Sequence, residues 1–87
     1  MVTVTESAKQ RLKKISLRVV NRPEAVLRLI VNTSRRLALV VGNKAERDQI
    51  VQYQGTTVLV VNKELSEAFS GLGIDYHTGK GLHLVQI

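Results

Sequence analysis

The 87-residue sequence contains no cysteine, and this absence excludes several kinds of site. Disulfides, thiolate-bound zinc, thiol catalysis and iron–sulfur clusters held by the chain's own sulfurs all require cysteine. The absence leaves the compartment open, because a cysteine-free chain is compatible with any redox environment.

Aromatic residues are also scarce, with Tyr53, Phe69 and Tyr76 forming the whole set. The apolar content comes from Val, Leu and Ile, which favours a β-rich fold with a small aliphatic core. At this length we expect one domain, residues 1–87, whose modest core would gain from oligomerisation. No signal peptide and no apolar run of transmembrane length is found, so we expect a cytoplasmic protein without membrane contact.

Positive charge is concentrated in the first half of the chain. The formal net charge is +6. Residues 1–47 carry eleven Lys or Arg against three Glu, a charge of +8, whereas residues 48–87 carry two against four acids, a charge of −2. We therefore expect one positive face or end, which suits either a solvated surface or an acidic partner.

The first part of the chain predicts a short strand followed by a helix. Val2–Val4 alternates, and Thr5 offers a hydroxyl that can cap a helix over residues 6–18. A narrow apolar stripe at helical spacing should face the core. Its members are Ala8, Leu12, Ile15 and Val19. The helix should stop before Pro23.

After Pro23 the apolar pattern changes to short runs joined by turns, which is typical of hairpins. The predicted strand pairs are 26–31 with 37–41, 50–53 with 56–61, and 74–77 with 82–87. Asn62 should cap a short helix that ends near Phe69. The side chains of Leu65, Ala68 and Phe69 should face the core. This order predicts an α+β fold with mixed or antiparallel sheets.

Gly79-Lys80 superficially suggests a phosphate-binding loop. From Gly73 the spacing is five residues where the motif needs four, and Gly81 stands where a magnesium-binding hydroxyl should be. No helix is predicted to follow, so no helix N-terminus could hold a phosphate. A glycine-rich hairpin turn is the better interpretation.

His77 and His83 are the two histidines of the chain. With the turn centred on Gly79-Lys80, His77 should lie opposite Leu82 and His83 opposite Tyr76. The two imidazoles would then point to opposite faces of the sheet, which disfavours one shared ion within a subunit. We predict no metal site; the alternative is ligation by His77 or His83 between subunits.

No set of side chains has the pattern of an acid–base or nucleophilic site. Asp75 and Glu64 lie in separate predicted elements, and Glu64 with Glu67 fits a solvated helix face. No serine sits in a nucleophile elbow. We therefore predict no catalytic residue, no cofactor and no enzymatic activity.

The basic helix is the stronger candidate for a binding surface. At 100° per residue, Arg11, Lys14 and Arg18 fall on one flank of the apolar stripe. Arg35 and Arg36 would add to this surface if the hairpin tip lies nearby. Phosphate contacts suit such a surface, but single-strand binding normally uses aromatic stacking platforms, which are few here. Nucleic acid is thus the less favoured partner.

Four stretches, taken in order, resemble one known family. They are VTVTESAKQRLKKI, LRLIV, GTTVLVVNKELSEAFSGLGIDY and GKGLHL. Together they are similar to the HesB-like, A-type iron–sulfur carriers, the IscA group. The resemblance covers nearly all of the chain and implies a HesB-like α+β fold, in which two small sheets form a partial barrel with two helices. It also implies dimers or higher oligomers.

The same resemblance implies a lost cluster site. The family holds iron or a cluster with three cysteines, one in a Cys-Ser-Gly turn after the strand matched by LRLIV and two in a Cys-Gly-Cys tail. Here the turn reads Thr33-Ser34-Arg35, so Thr33 or Ser34 occupies the ligand position, and the sequence stops at Ile87 before any tail. A neutral hydroxyl is a poor iron ligand, and Arg35 and Arg36 would repel a cation.

The residues and the resemblance together lead to two functional hypotheses. The first is a non-catalytic accessory or interaction protein related to iron–sulfur cluster biogenesis, which is not itself a carrier and which contacts a protein partner or forms a homodimer. The second is a basic binding module for an acidic partner, either nucleic acid or protein, through Arg11, Lys14, Arg18, Arg35 and Arg36.

Overall fold

A computed structural model describes residues 1–34 and 36–87, and within these ranges the chain forms seven strands and two helices. In chain order they are β1 (Thr3–Val4), α1 (Glu6–Val19), β2 (Ala25–Val31), β3 (Leu37–Asn43), β4 (Gln49–Tyr53), β5 (Thr56–Val61), α2 (Lys63–Ala68), β6 (Leu72–His77) and β7 (Gly81–Gln86). Every predicted strand and helix is present, with small differences at the ends.

The strands form two mixed sheets. One has the order β1-β6-β7 and the other β3-β2-β5-β4. The β1–β6 and β2–β5 pairs are parallel, and the remaining pairs are antiparallel. The sheets do not close into a full barrel. The prediction of an α+β fold with two small mixed sheets and two helices is confirmed.

Thr5 begins α1 and ties it to the three-stranded sheet. Its hydroxyl accepts a hydrogen bond from the Ala8 amide, as an N-cap does, and donates one to Asp75 Oδ1 at 2.6 Å. Its own amide donates to the Ile74 carbonyl at 3.0 Å. One residue therefore sets both the start of the helix and its position against β6.

Asn62 caps α2 by accepting from the Leu65 amide at 2.8 Å. The predicted inward face is wrong at Ala68, which is exposed, whereas Ser66 is buried and donates to Gln49 Oε1 at 2.7 Å. Leu65 and Phe69 are partly buried as predicted. The helix is short, and the polar contact of Ser66 decides which side faces inward.

The apolar stripe of α1 is buried only along part of its length. Ala8 and Leu12 are fully buried and Ile15 packs against the core, but Val19 is 47% exposed, so its predicted place in the core is wrong. Val20, just past the helix end, packs against the core instead. The chain leaves the helical path there, and the 3.6-residue period no longer applies.

The core lies where α1 packs against both sheets. Strand β5 is at its centre: Val58–Val61 are fully buried, although a half-exposed strand would alternate. The strand is interior to its sheet, which explains its continuous apolar run. Across the described residues, no helix is long and apolar enough to cross a membrane.

Candidate functional site

The turn between β2 and β3 is closed by the backbone and one side chain. The Asn32 carboxamide oxygen accepts from the amides of Ser34 (2.9 Å) and Arg36 (3.0 Å). The Asn32 amide donates to the Arg36 carbonyl at 2.9 Å. Thr33 and Ser34 are exposed. Arg35 lies outside the described residues, so its expected contribution stays a prediction.

An open cleft of about 1150 Å³ borders this turn, and residues from both sheets, from α1 and from α2 line it. Six large apolar residues form much of its lining. They are Leu37, Leu39, Leu65, Phe69, Leu82 and Leu84. The cleft thus places apolar surface next to the turn that the family resemblance singled out.

Cationic side chains surround this apolar surface. Arg11 from α1, Arg36 from the turn and Lys80 from the β6–β7 loop all line the cleft and are exposed. None of the described residues that line it is Asp or Glu. The local potential is therefore positive and attracts an anionic group.

Arg11 is held in place by an aromatic ring. The central carbon of its guanidinium lies 5.3 Å from the ring centroid of Tyr76, which is a cation–π contact. Such a contact at an exposed position contributes about 0.5–1 kcal/mol. It keeps the cation over the cleft wall and leaves guanidinium N–H groups available to a carboxylate.

The structure brings together only part of the predicted basic surface. Arg11 and Arg36 line one cleft, whereas Lys14 and Arg18 are exposed on α1 away from it. Lys80 was not predicted, because nothing in its local sequence shows that the β6–β7 loop reaches the same cleft as α1. Among the described residues, the cations that line the cleft are therefore Arg11, Arg36 and Lys80, and the wider basic surface stays a prediction.

The predicted register of the last hairpin is wrong by one residue. Asp75 pairs with His83, Tyr76 with Leu82, and His77 with Gly81. The Lys80 amide donates to the His77 carbonyl at 2.9 Å, and Gly81 has a positive φ of 71°. A three-residue loop followed by a left-handed glycine is a common hairpin connection, and it shifts the pairing.

This register reverses the prediction for the histidines. Residues directly opposed or two apart on a strand share a face, so His77, His83 and Asp75 lie on one side of the sheet. Within residues 1–34 and 36–87, however, no three His, Asp or Glu side chains are placed to hold one metal ion. The inter-subunit alternative stays a hypothesis.

Asp75 is bound to the fold rather than turned toward an ion. The Thr5 hydroxyl and the Tyr76 amide both donate to its carboxylate, and together with the nearby His83 and His77 they lower the pKa of Asp75. The hydroxyl of Thr5 is the largest cause. The carboxylate therefore stays ionised and fixes the helix cap.

Arg28 and Asp48 form an ion pair that sequence reasoning missed. The guanidinium contacts both carboxylate oxygens, at 2.5 and 3.0 Å, and also donates to the Asn43 carbonyl at 2.8 Å. The Asp48 side chain is 2% exposed and that of Arg28 is 20% exposed. The Arg28 hydrogen bond lowers the pKa of Asp48, which also accepts from the Ala45 amide. The partners lie 20 positions apart, so no local pattern signals them.

Sequence comparison finds no matching family model and no matching curated protein. The solved structures that match in fold include SufA and IscA. SufA of Escherichia coli, described as involved in the biosynthesis of iron–sulfur clusters, is 17% identical with a TM-score of 0.64, over 97% of this chain and 81% of SufA. IscA, solved with a 2Fe–2S cluster, is 21% identical with a TM-score of 0.56, over 99% of this chain and 85% of IscA.

The chain therefore has the HesB/IscA-like fold, and the predicted resemblance is confirmed at the level of fold. Both matches span more than four fifths of the other protein. The identities are low, so residue roles in SufA and IscA do not transfer by the match itself.

Proposed function

We propose that the protein is a non-catalytic accessory or interaction protein of iron–sulfur cluster metabolism that does not itself carry a cluster. The likeness in fold to SufA and to IscA supports the link to cluster biogenesis. The absence of cysteine from all 87 residues is the observation that carries the proposal, since these residues then offer no thiolate to a cluster.

The chemistry of the Asn32–Arg36 turn supports the same proposal. Thr33 and Ser34 offer neutral hydroxyls, which are poor ligands for iron compared with thiolates. The Asn32 oxygen is already engaged by two backbone amides. Arg36 adds a positive charge beside the turn, and this charge opposes a cation.

Anaerobic reconstitution with ferrous iron and sulfide tests the proposal. After desalting, we expect no visible-region chromophore from this protein, whereas IscA treated in parallel should acquire one. Stoichiometric iron and sulfide uptake with a visible chromophore would overturn the proposal.

Metal analysis of protein purified without a polyhistidine tag addresses ligation by His77 or His83. We expect only background iron in the wild type and the same background in the His77→Ala/His83→Ala variant. Stoichiometric iron in the wild type that is lost in the double variant would instead establish a histidine site between subunits.

A second candidate function is a binding module for an acidic partner, and the cleft favours it. Arg11, Arg36 and Lys80 meet there without an acidic residue in the described lining. Binding should be salt-sensitive and weakened by the Arg35→Glu/Arg36→Glu double substitution. If nucleic-acid binding in an anisotropy titration is unchanged by this double substitution, the hairpin tip has no part in it.

A further inference from the structure

The cleft combines apolar surface with cations, and this combination restricts what can occupy it. Val31 and Leu84 line it, yet each remains 38% exposed, so apolar surface meets solvent beside Arg36 and Lys80. An occupant that buries this surface gains from the hydrophobic effect. An occupant that also carries carboxylates is attracted by the cations.

The openness of the cleft favours a polypeptide segment over a small ligand. Small-molecule sites usually measure about 300–1,000 Å³ and enclose most of the ligand. Here the volume is about 1150 Å³, and Arg11, Arg36 and Lys80 at its margin are exposed. An amphipathic helix laid into a groove meets such a surface with one apolar face and leaves its other face in water.

Two other occupants fit less well. Single-stranded nucleic acid uses stacking platforms, but the lining is mostly aliphatic and the ring of Tyr76 already faces Arg11. A second copy related by a two-fold axis would bring the Arg11, Arg36 and Lys80 set against itself. Like charges opposed across an interface disfavour that contact.

We propose that this cleft binds an acidic amphipathic segment of a partner protein. The segment's apolar residues cover Leu82, Leu84 and Val31, and its carboxylates pair with Arg11, Arg36 and Lys80. This rests on the proposed interaction role and names the chemistry of the partner. The two arginines provide planar donors that suit carboxylates.

Three synthetic helical peptides of about 18 residues, or five turns, test the proposal. The first peptide has a helix face of leucines flanked by Glu residues. The second has the same leucine face but is flanked by Lys residues. The third keeps the Glu residues and replaces the leucine face with Gln. In anisotropy titrations against the whole chain, we expect the first peptide to bind and the other two to bind at least about tenfold more weakly. The second peptide lacks the carboxylates that pair with the cations, and the third lacks the apolar contacts.

Substitutions locate the site. Arg11→Glu, Arg36→Glu and Lys80→Glu should each weaken the first peptide about fivefold or more, the effect of reversing a charge at an interface margin. Lys44→Glu, which makes the same charge change on the exposed β3–β4 connection outside the cleft, is the control and should have little effect.

An apolar pair completes the test. Leu84→Asn should weaken binding, whereas Ile50→Asn, at a similarly exposed position (42%) outside the cleft, should not. Equal binding of all three peptides, no binding of the first, or equal effects of cleft and control substitutions would overturn the proposal. So would a dimer that dissociates on Arg36→Glu, or competition by single-stranded RNA. Cluster reconstitution measures cluster uptake, whereas the titrations measure peptide binding. The proposed function and the peptide-binding proposal can therefore fail independently.

Discussion

The β2–β3 hairpin carries two arginines whose side chains lie at its two ends and are used in opposite ways. Arg28 is in the middle of β2, opposite Val40, and its side chain extends to the base of the hairpin. There it is largely buried and contacts both oxygens of Asp48 and the Asn43 carbonyl. At the tip, Arg36 is exposed and lines a cleft whose described lining contains no acid. Its backbone closes the turn with Asn32, while its side chain stands at the cleft margin.

The difference separates charge used for folding from charge available to a partner. Asp48 neutralises Arg28 and fixes the β3–β4 connection, so this pair serves the fold. Removing the charge of Arg36 leaves no buried partner unsatisfied among the described residues, so the fold does not need it. The Arg36 side chain can therefore be replaced without disturbing the sheet.

The largest effect on stability is expected when the Arg28–Asp48 ion pair is broken. Asp48→Ala should lower the free energy of unfolding by about 1–3 kcal/mol, because Arg28 and the Ala45 amide lose their acceptor in a poorly solvated site. Urea denaturation followed by circular dichroism measures this. Glu46→Ala, an exposed acid on the same connection, is the matched control and should change the unfolding midpoint little. Equal midpoints for the two variants would contradict a structural role.

Lowering the pH should weaken the Arg28–Asp48 ion pair and so reduce the stability of the protein. The folded-state pKa of Asp48 lies below its ordinary value of 3.8, so its contribution is present above that value. The contribution is lost as the pH falls below about 4 and through the lowered folded-state pKa. Over this range, the free energy of unfolding should fall more steeply with decreasing pH for the wild type than for Asp48→Asn. Parallel curves would show that Asp48 does not contribute.

A smaller effect is expected at the start of α1. Thr5→Ala should lower the free energy of unfolding by about 1 kcal/mol, because the Ala8 amide loses the hydroxyl that caps it. Asp75 also loses a hydroxyl donor. Thr5→Ser keeps the hydroxyl and should retain most of the stability. If both variants unfold at the wild-type midpoint, the hydroxyl has no structural importance.

The smallest effect on stability is expected at the tip. Arg36→Glu should change the free energy of unfolding by less than about 0.5 kcal/mol, as exposed substitutions usually do. The same variant should lose affinity for the acidic amphipathic peptide. A large loss of stability would mean that Arg36 serves the fold, and the contrast with Arg28 would disappear.

Much of the fold could be predicted because its signals are local. Helical spacing from Ala8 to Ile15, cap residues at Thr5 and Asn62, and apolar runs separated by turns each depend on neighbouring residues. The ordered stretches that resemble the HesB-like family then supplied the arrangement of the elements, which the match to SufA confirms.

The missed features depend on contacts between distant positions or on one turn conformation. Arg28 and Asp48 meet only once the sheet forms. The loop containing Lys80 reaches the cleft only when both sheets are assembled. The register of the last hairpin depends on the left-handed backbone of Gly81, and because Gly79 is also in the turn, the sequence left the turn type ambiguous.

The most direct test of the contrast between the two ends is a two-dimensional ¹⁵N–¹H NMR titration. The acidic amphipathic peptide is added to the uniformly labelled protein, and amide shifts are followed by residue. We predict that the perturbed amides lie around the cleft, at Arg36, Ala38, Leu82 and Leu84, and that Asn43 and Asp48 stay unchanged. Perturbation at the base of the hairpin with an unchanged tip would contradict the account.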